Sequence, residues 1–350
     1  MAEPVTWRSP HEIKRREFMR YAGGTVLTAV AGAGLGLALH DGRDGRQYFE
    51  DLANAETVTL PRYDLNNPAG PNRIAVVHGQ AASVMVKAAF DTLGGLDKFI
   101  VPGDVVLVKP NVAFDRPPEM GASTSPEVLS AVIQQVRECG AKRVLVADNP
   151  INQPEGCFEK TGLGPAARAA GGEVILPRPE RFTDLAVGRL REGDQVTGEP
   201  GEALDRWLVF YEPLRLATKV IGIAPAKDHN LCGASMTMKN WYGLLGGRRN
   251  QFHQAIHEVI ADFPLMIKPT LVMLDATRIL TRNGPTGGSL ADVDTTQSQI
   301  VVGTDMVAVD AYGWGLLRRR GRPPEYLARA KRRGLGEDDL GLVDKVEFNV

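Results

Sequence analysis

Cysteine is scarce: Cys139, Cys157 and Cys232 are the only three in 350 residues, and no CxxC pair occurs. That spacing excludes a zinc ribbon or a ferredoxin-type iron–sulfur cluster built from this chain alone. One disulfide is permitted in an oxidising compartment, but the spacing selects no pair, and Cys139 reads as a small buried hydrophobe. Neither sign of charge is in excess, with 41 Lys and Arg against 42 Asp and Glu. Nothing in that balance points to nucleic acid as a partner. Internal repeats are absent. Long apolar runs are absent too, apart from one near the amino terminus.

That run, Tyr21 to Leu39, has nineteen residues, no charge and five glycines. Its length is close to the roughly 20 residues a bilayer requires, but its glycines make it a poor helix. Just before it stands Lys14-Arg15-Arg16-Glu17-Phe18-Met19-Arg20, which is similar to the twin-arginine consensus for export of folded proteins. Low hydrophobicity and the pair Arg15-Arg16 support each other, so residues 1–40 are expected to be a twin-arginine signal. The Tat translocase is the expected partner and the periplasm the expected destination. An ordinary signal anchor or a buried glycine-rich helix are the other readings of the run. Ala38-Leu39-His40 is a poor cleavage site and Ala53-Asn54-Ala55 lies far downstream. The mature protein is therefore expected to be either free or held at the inner membrane by one uncleaved anchor. No Cys lies near the end of the run to carry a lipid.

Residues 41–72 are polar, with Pro61, Pro68, Gly70 and Pro71, and read as a linker. From Arg73 on, β-branched runs alternate with helical patterns: strands at 74–77, 105–108 and 143–147, helices at 81–93 and 126–139. This order predicts an α/β fold with a largely parallel, helix-covered sheet, as one large or two intimate subdomains. Thr124-Ser125-Pro126-Glu127 predicts a helix start with a hydroxyl cap. Residues 171–217 are less regular. Strands return at 220–224, 271–274 and 300–302, with helices at 250–262 and 306–317. Residues 318–333 read as a solvated amphipathic helix and, with the tail to 350, close the same domain.

Ligands of open parallel sheets gather beyond the carboxyl ends of the strands. Polar residues sit at four such ends: Lys109 and Asn111, Asp148, Lys227 and His229, and Asp275. If the sheet is wound as predicted, they converge on one cleft. Lys239 and Asn240 follow within fourteen residues of Lys227. Lysine suits phosphate or carboxylate, and when desolvated it becomes an acid, base or imine former. His229 has the chemistry of a proton shuttle or a metal ligand. His253 and His257 are spaced i, i+4, so one helix would place them on a shared face. Asp262, about two and a half turns beyond His253, would need a bend to join it. Thr304 or Asp305 is expected to cap the helix that follows, which gives Asp305 a mainly structural role.

Taken in order, Val106-Leu-Val-Lys-Pro-Asn111, Thr124-Ser-Pro-Glu127, Gly140-Ala-Lys-Arg-Val144, Asp148, Lys227-x-His229, Met238-Lys-Asn240 with Gly243, His253, Asp262, Asp275, Gly284-Pro285 and Gly303-x-Asp305 through Asp310 resemble the domain of unknown function 362, over about residues 73–315. The resemblance names no reaction. Some relatives are fused to modules that hold [4Fe-4S] clusters, which implies redox association and a redox partner; this chain has no such ligand motif.

Two functions follow from the residues. In the first, an exported protein binds an anionic small molecule or cofactor and acts on it as an enzyme, redox-associated in one version, with Lys109, Lys227 and Lys239 as the cationic clamp, Lys227, His229 and Lys239 as the catalytic candidates, His229 as acid or base, and Asn111 and Asn240 orienting the ligand. Asp148 and Asp275 would fix the lysines or hold a divalent metal. In the second, an accessory protein without catalysis of its own captures a metal or cofactor for a periplasmic redox system through His229, His253 and Asp262. Use of the folded-protein route suggests loading before export. Replacement of Arg15-Arg16 by Lys-Lys is expected to retain the protein in the cytoplasm. Fractionation checks this, and normal export of the variant would remove the signal assignment.

Overall fold

Strand residues alternate between two faces, and in this chain both faces are apolar. The structure, a computed structural model, describes residues 57–64, 70, 72–319 and 321–350. The Arg15-Arg16 pair and the apolar run after it lie outside the described residues. In chain order the strands are β1 (Val58–Pro61), β2 (Arg73–His78), β3 (Val105–Lys109), β4 (Arg143–Ala147), β5 (Glu173–Ile175), β6 (Phe182–Glu192), β7 (Gln195–Thr197), β8 (Arg206–Phe210), β9 (Lys219–His229), β10 (Gly233–Ser235), β11 (Leu271–Leu280), β12 (Val293–Asp294), β13 (Gln299–Gly303) and β14 (Asp344–Asn349). The helices are α1 (Ala82–Thr92), α2 (Pro126–Glu138), α3 (Pro154–Lys160), α4 (Leu163–Ala169), α5 (Glu212–Leu216), α6 (Thr237–Asn240), α7 (Ile256–Met266), α8 (Met306–Leu316) and α9 (Glu325–Arg332).

The large sheet runs β14-β2-β13-β11-β9-β3-β4-β5, with β10 paired to β9 and β12 to β11. Along that path only β13 is antiparallel to its neighbours, while the other adjacent pairs are parallel. The predicted helix-covered, largely parallel sheet is the one observed. Its two faces feed separate cores. Val106 and Val108 of β3 pack with Phe90 of α1 and Val132 of α2, whereas Leu107 between them packs with Phe263 of α7 and Val307 of α8. Strand β11 divides likewise, with Leu271 and Met273 on one side and Val272 and Leu274 on the other.

The structure departs from the sequence reading in several places. Part of the expected linker is the edge strand β1, parallel to β6 in a second, smaller sheet with β7 and β8. Tyr63 beside it is buried and donates to the Leu214 carbonyl at 2.9 Å. Pro61 punctuates this stretch without breaking it, because an edge strand tolerates a missing donor. The tail beyond α9 adds β14 to the large sheet, parallel to β2. Strand β9 does not end at Ala224 but continues through Pro225 to His229 and folds back as β10. Residues 250–262 are not one helix: a 3-10 turn, Arg249–Ala255, precedes α7. Ser125 stands at the α2 N-cap, but its hydroxyl pairs with Thr277 Oγ1 at 2.8 Å and leaves the helix amides uncapped. Of the two caps open for α8, Thr304 and Asp305, the structure uses Asp305, which accepts from the amides of Val307 and Ala308. All three cysteines are free, with Cys157 and Cys232 buried and Cys139 less so.

One buried carboxylate orients the short helix α6. Asp310 of α8 accepts from the Thr237 amide at 2.8 Å, the Thr237 hydroxyl at 2.5 Å and the Met238 amide at 3.1 Å. Burial raises its pKa to about 7 against the pull of those donors. Asp310→Ala orphans two buried amides, at about 1–3 kcal/mol each, and leaves the Thr237 hydroxyl with the Met306 carbonyl alone. The expected loss of unfolding free energy is roughly 3 kcal/mol or more, measured as a lower urea midpoint.

Candidate functional site

A chain of buried polar groups joins the carboxyl ends of three adjacent strands. Lys109, the last residue of β3, is fully buried. Its ammonium lies 2.7 Å from Asp148 Oδ1 and donates to the Pro110 carbonyl and to Asn240 Oδ1, both at 2.9 Å. Asp148, immediately after β4, uses its other oxygen to accept from the Val112 amide at 2.7 Å. Asn240 in turn donates to the carbonyls of Ile223 and Lys109, and its Oδ1 also accepts from Asn111 Nδ2 at 3.2 Å. Asn111 Oδ1 then accepts from Lys227 Nζ at 3.1 Å. Thr124 holds the turn between β3 and this chain: its hydroxyl accepts from the Asn111 amide and donates to the Ile223 carbonyl. At Gly243 any Cβ would collide with the Asp148 carboxylate and the Lys109 ammonium. Only glycine lets that backbone pass so close.

Against this chain lies a cavity of about 180 Å³ whose lining includes Lys227, His229, Lys239, Tyr242, Arg249 and His253. Lys227 donates to the Ala122 carbonyl at 2.6 Å and sits 5.3 Å from the Phe114 ring centre. Burial, reinforced by the neighbouring charge of Lys239, lowers its pKa to about 7. Lys239 lies 4.8 Å from the Tyr242 ring centre, and burial lowers its pKa as well. Arg249 donates to the carbonyls of Pro150, Leu245 and Tyr242. Among the described residues none of these three cations has a carboxylate within 4 Å. The nearby Cys232 thiol supplies no counter-charge, because burial pushes its pKa up to about 11.

The two imidazoles differ at Nδ1. His229 Nδ1 accepts from the Leu231 amide at 3.2 Å, so its proton is on Nε2. Burial and then the charges of Lys239 and Lys227 push its pKa down to about 2, which keeps the ring neutral. His253 Nδ1 faces the Asn250 carbonyl at 2.8 Å and must donate.

Of the residues expected at the cleft, Asn111, Asp148, Lys227, His229, Lys239, Asn240 and His253 meet at the cavity. Lys109 lies behind its wall, with its donors consumed. Asp275 is elsewhere: it accepts from the Ser125 amide at 2.7 Å and from Thr277, bracing the start of α2. The expected metal set does not form. Asp262 is fully buried and accepts from the amides of Glu202, Ala203 and Leu204 and from Arg333 at 2.6 Å. His257 stacks on Tyr326, outside the cavity. His229 would have to move its proton from Nε2 to Nδ1 to ligate through Nε2, against the Leu231 N–H. Among the described residues no group of three His, Cys, Asp or Glu is placed to hold a metal. Arg249, Phe114 and Tyr242 escaped the sequence reading. Tyr242 and Gly243 directly follow the Lys239-Asn240 motif, while Arg249 carried no signal beyond its charge.

The family described as "Domain of unknown function (DUF362)" matches residues 106–315, more than half of the chain. A thylakoid-associated protein of Synechocystis sp. is 27% identical over 236 residues, covering 64% of this chain and 68% of that one. No solved structure matches. Among the described residues no helix is long and apolar enough to cross a membrane.

The two placements of carboxylates make opposite demands on mutation. Asp262→Ala leaves three amides and Arg333 without their acceptor, so stability is expected to fall by roughly 3 kcal/mol. Its effect on occupancy of the cavity should be nil. Calorimetric unfolding alongside ligand titration of the same variant checks both, and a selective loss of ligand binding would return Asp262 to the site.

Proposed function

Because the chain belongs to the domain of unknown function 362 family, whose description assigns no reaction, its function has to be read from the cavity, and we propose that it is an exported protein that binds a small anionic molecule there. The observation that carries this reading is the unbalanced charge: Lys227, Lys239 and Arg249 line one small cavity, and Asp148, the carboxylate beside them, is committed to Lys109. A phosphate or carboxylate supplies the missing counter-charge. Lys239 and Arg249 are the clamp, and the neutral His229 adds an N–H donor from Nε2. Lys227 gives the site a proton donor and acceptor poised near neutrality, the property an acid–base step requires. Export rests on the twin-arginine motif, and a relative named for its thylakoid association is in keeping with a place at or across a membrane.

Thermal-shift screening against inorganic phosphate and small carboxylates is expected to raise the melting temperature, and Lys239→Ala or Arg249→Ala to abolish the shift. Lys227 fixes the pH dependence. Its folded pKa of about 7 lies below the ordinary 10.5, so between those values the unfolded chain holds a proton that the folded one has released. This lysine's contribution to ligand-free stability therefore rises with pH across that window. Anion affinity runs the other way, falling as pH passes upward through about 7, by roughly tenfold if the ligand raises the lysine's pKa by about one unit. Lys227→Met should flatten that profile. A family of anions that leaves the melting temperature unmoved at pH 6 would overturn the proposal.

A further inference from the structure

Part of the exposed rim of the basic cavity is apolar. Ile151 and Leu231 both line it, yet they are 61% and 52% exposed. Single exposed aliphatic side chains are ordinary on protein surfaces, but these two come from segments 80 residues apart and meet at one opening, with Phe114 and Pro285 also in its wall. Both are held in place by their own backbones. The Ile151 amide donates to the Ala113 carbonyl at 2.9 Å, and the Leu231 amide donates to His229 Nδ1 at 3.2 Å. The second bond also leaves the His229 proton on Nε2, so the backbone that carries Leu231 fixes the tautomer of the imidazole in the cavity wall. The cavity is also small: 180 Å³ is below the roughly 300–1,000 Å³ of sites that enclose a drug-sized molecule. It corresponds to the volume of about six waters, enough for a charged head group.

From this arrangement we infer that the ligand is an amphiphile, a phosphate or carboxylate head bound on Lys239 and Arg249 with an aliphatic chain leaving across Ile151 and Leu231. This rests on the anion-binding reading above and adds the apolar half of the ligand. The head alone satisfies the charge; the chain covers the two aliphatic side chains that otherwise face water.

Isothermal titration with two homologous series tests it: inorganic phosphate, butyl phosphate and hexyl phosphate, and acetate, butyrate and hexanoate. In the wild-type protein, affinity in the series that binds is expected to rise by about three- to fourfold for each methylene that reaches the rim. The double variant Ile151→Ser, Leu231→Ser should lose that rise and keep the affinity for the shortest member, since both side chains are exposed and neither holds the head group. A flat series in the wild type, with the shortest anion still bound, overturns the amphiphile and leaves the anion site standing. Failure of every member of both series to bind overturns the anion site itself. A rise that survives unchanged in the double variant also overturns the assignment, by placing the chain elsewhere.

Discussion

The cavity depends on one buried ion pair. Lys109 and Asp148 are almost wholly removed from solvent and lie 2.7 Å apart. Burial drives the Lys109 pKa down while Asp148 pulls it back up. A buried pair survives only when its remaining donors and acceptors are met, and loss of one partner typically costs about 3–5 kcal/mol. Here they are met by the Pro110 carbonyl, Asn240 Oδ1 and the Val112 amide. The pair ties the end of β3 to the end of β4, and the glycine at 243 exists to let the following segment pass beside it. Its electrical consequence matters as much as its structural one. The carboxylate nearest the cavity is already paired, so among the described residues Lys227, Lys239 and Arg249 have no carboxylate within 4 Å.

The polar chain that starts at this pair also explains why the two lysines of the sheet behave differently. Lys109 has a carboxylate, a carbonyl and an amide oxygen around it. Lys227, at the far end of the chain, receives only the amide oxygen of Asn111 and the carbonyl of Ala122. Neutral acceptors solvate a cation partially; they do not cancel its charge. Lys227 consequently sits near the point where it is half protonated at neutral pH, and it faces the cavity, whereas Lys109 does not. Asn111 and Asn240 transmit this difference by presenting oxygen to the lysines, while the Asn240 nitrogen donates to backbone carbonyls and the Asn111 nitrogen to Asn240 Oδ1. Their orientation is fixed because no other assignment satisfies both ends.

Much of this was legible before any coordinates. The strand-end rule located Lys109, Asp148, Lys227 and His229 together because β3, β4 and β9 are adjacent and parallel, so their carboxyl ends are neighbours by topology alone. It failed for Asp275, although β11 is also parallel to β9. There the carboxylate is consumed by Thr277 two residues on and by the amide of Ser125, 150 residues away, partners whose competition no spacing reveals. The His253–Asp262 pairing failed for a related reason: the helix expected to carry both is interrupted at Ala255, and Arg333, 71 residues away, claims the aspartate. Arg249 was invisible because its role comes from the 3-10 turn that precedes α7. The strands β1 and β14 were hidden by prolines in one case and by terminal position in the other.

The continuation of β9 beyond Ala224 is the feature that converts a cluster of charged residues into a site. A flexible loop carrying Lys227, Asp228 and His229 would let the aspartate neutralise the lysine beside it. A strand cannot, because successive side chains point to opposite faces. Paired with β10 in register, the segment turns Lys227 and His229 toward the cavity and sends Asp228 the other way, where it lies 2.6 Å from Arg319 and accepts from the Gly284 amide. The strand thus sorts adjacent charges by sign. It removes Asp228 from the cavity by geometry, while Asp148 stays in the wall paired to Lys109, and the positive excess that remains follows from where the backbone hydrogen bonds run.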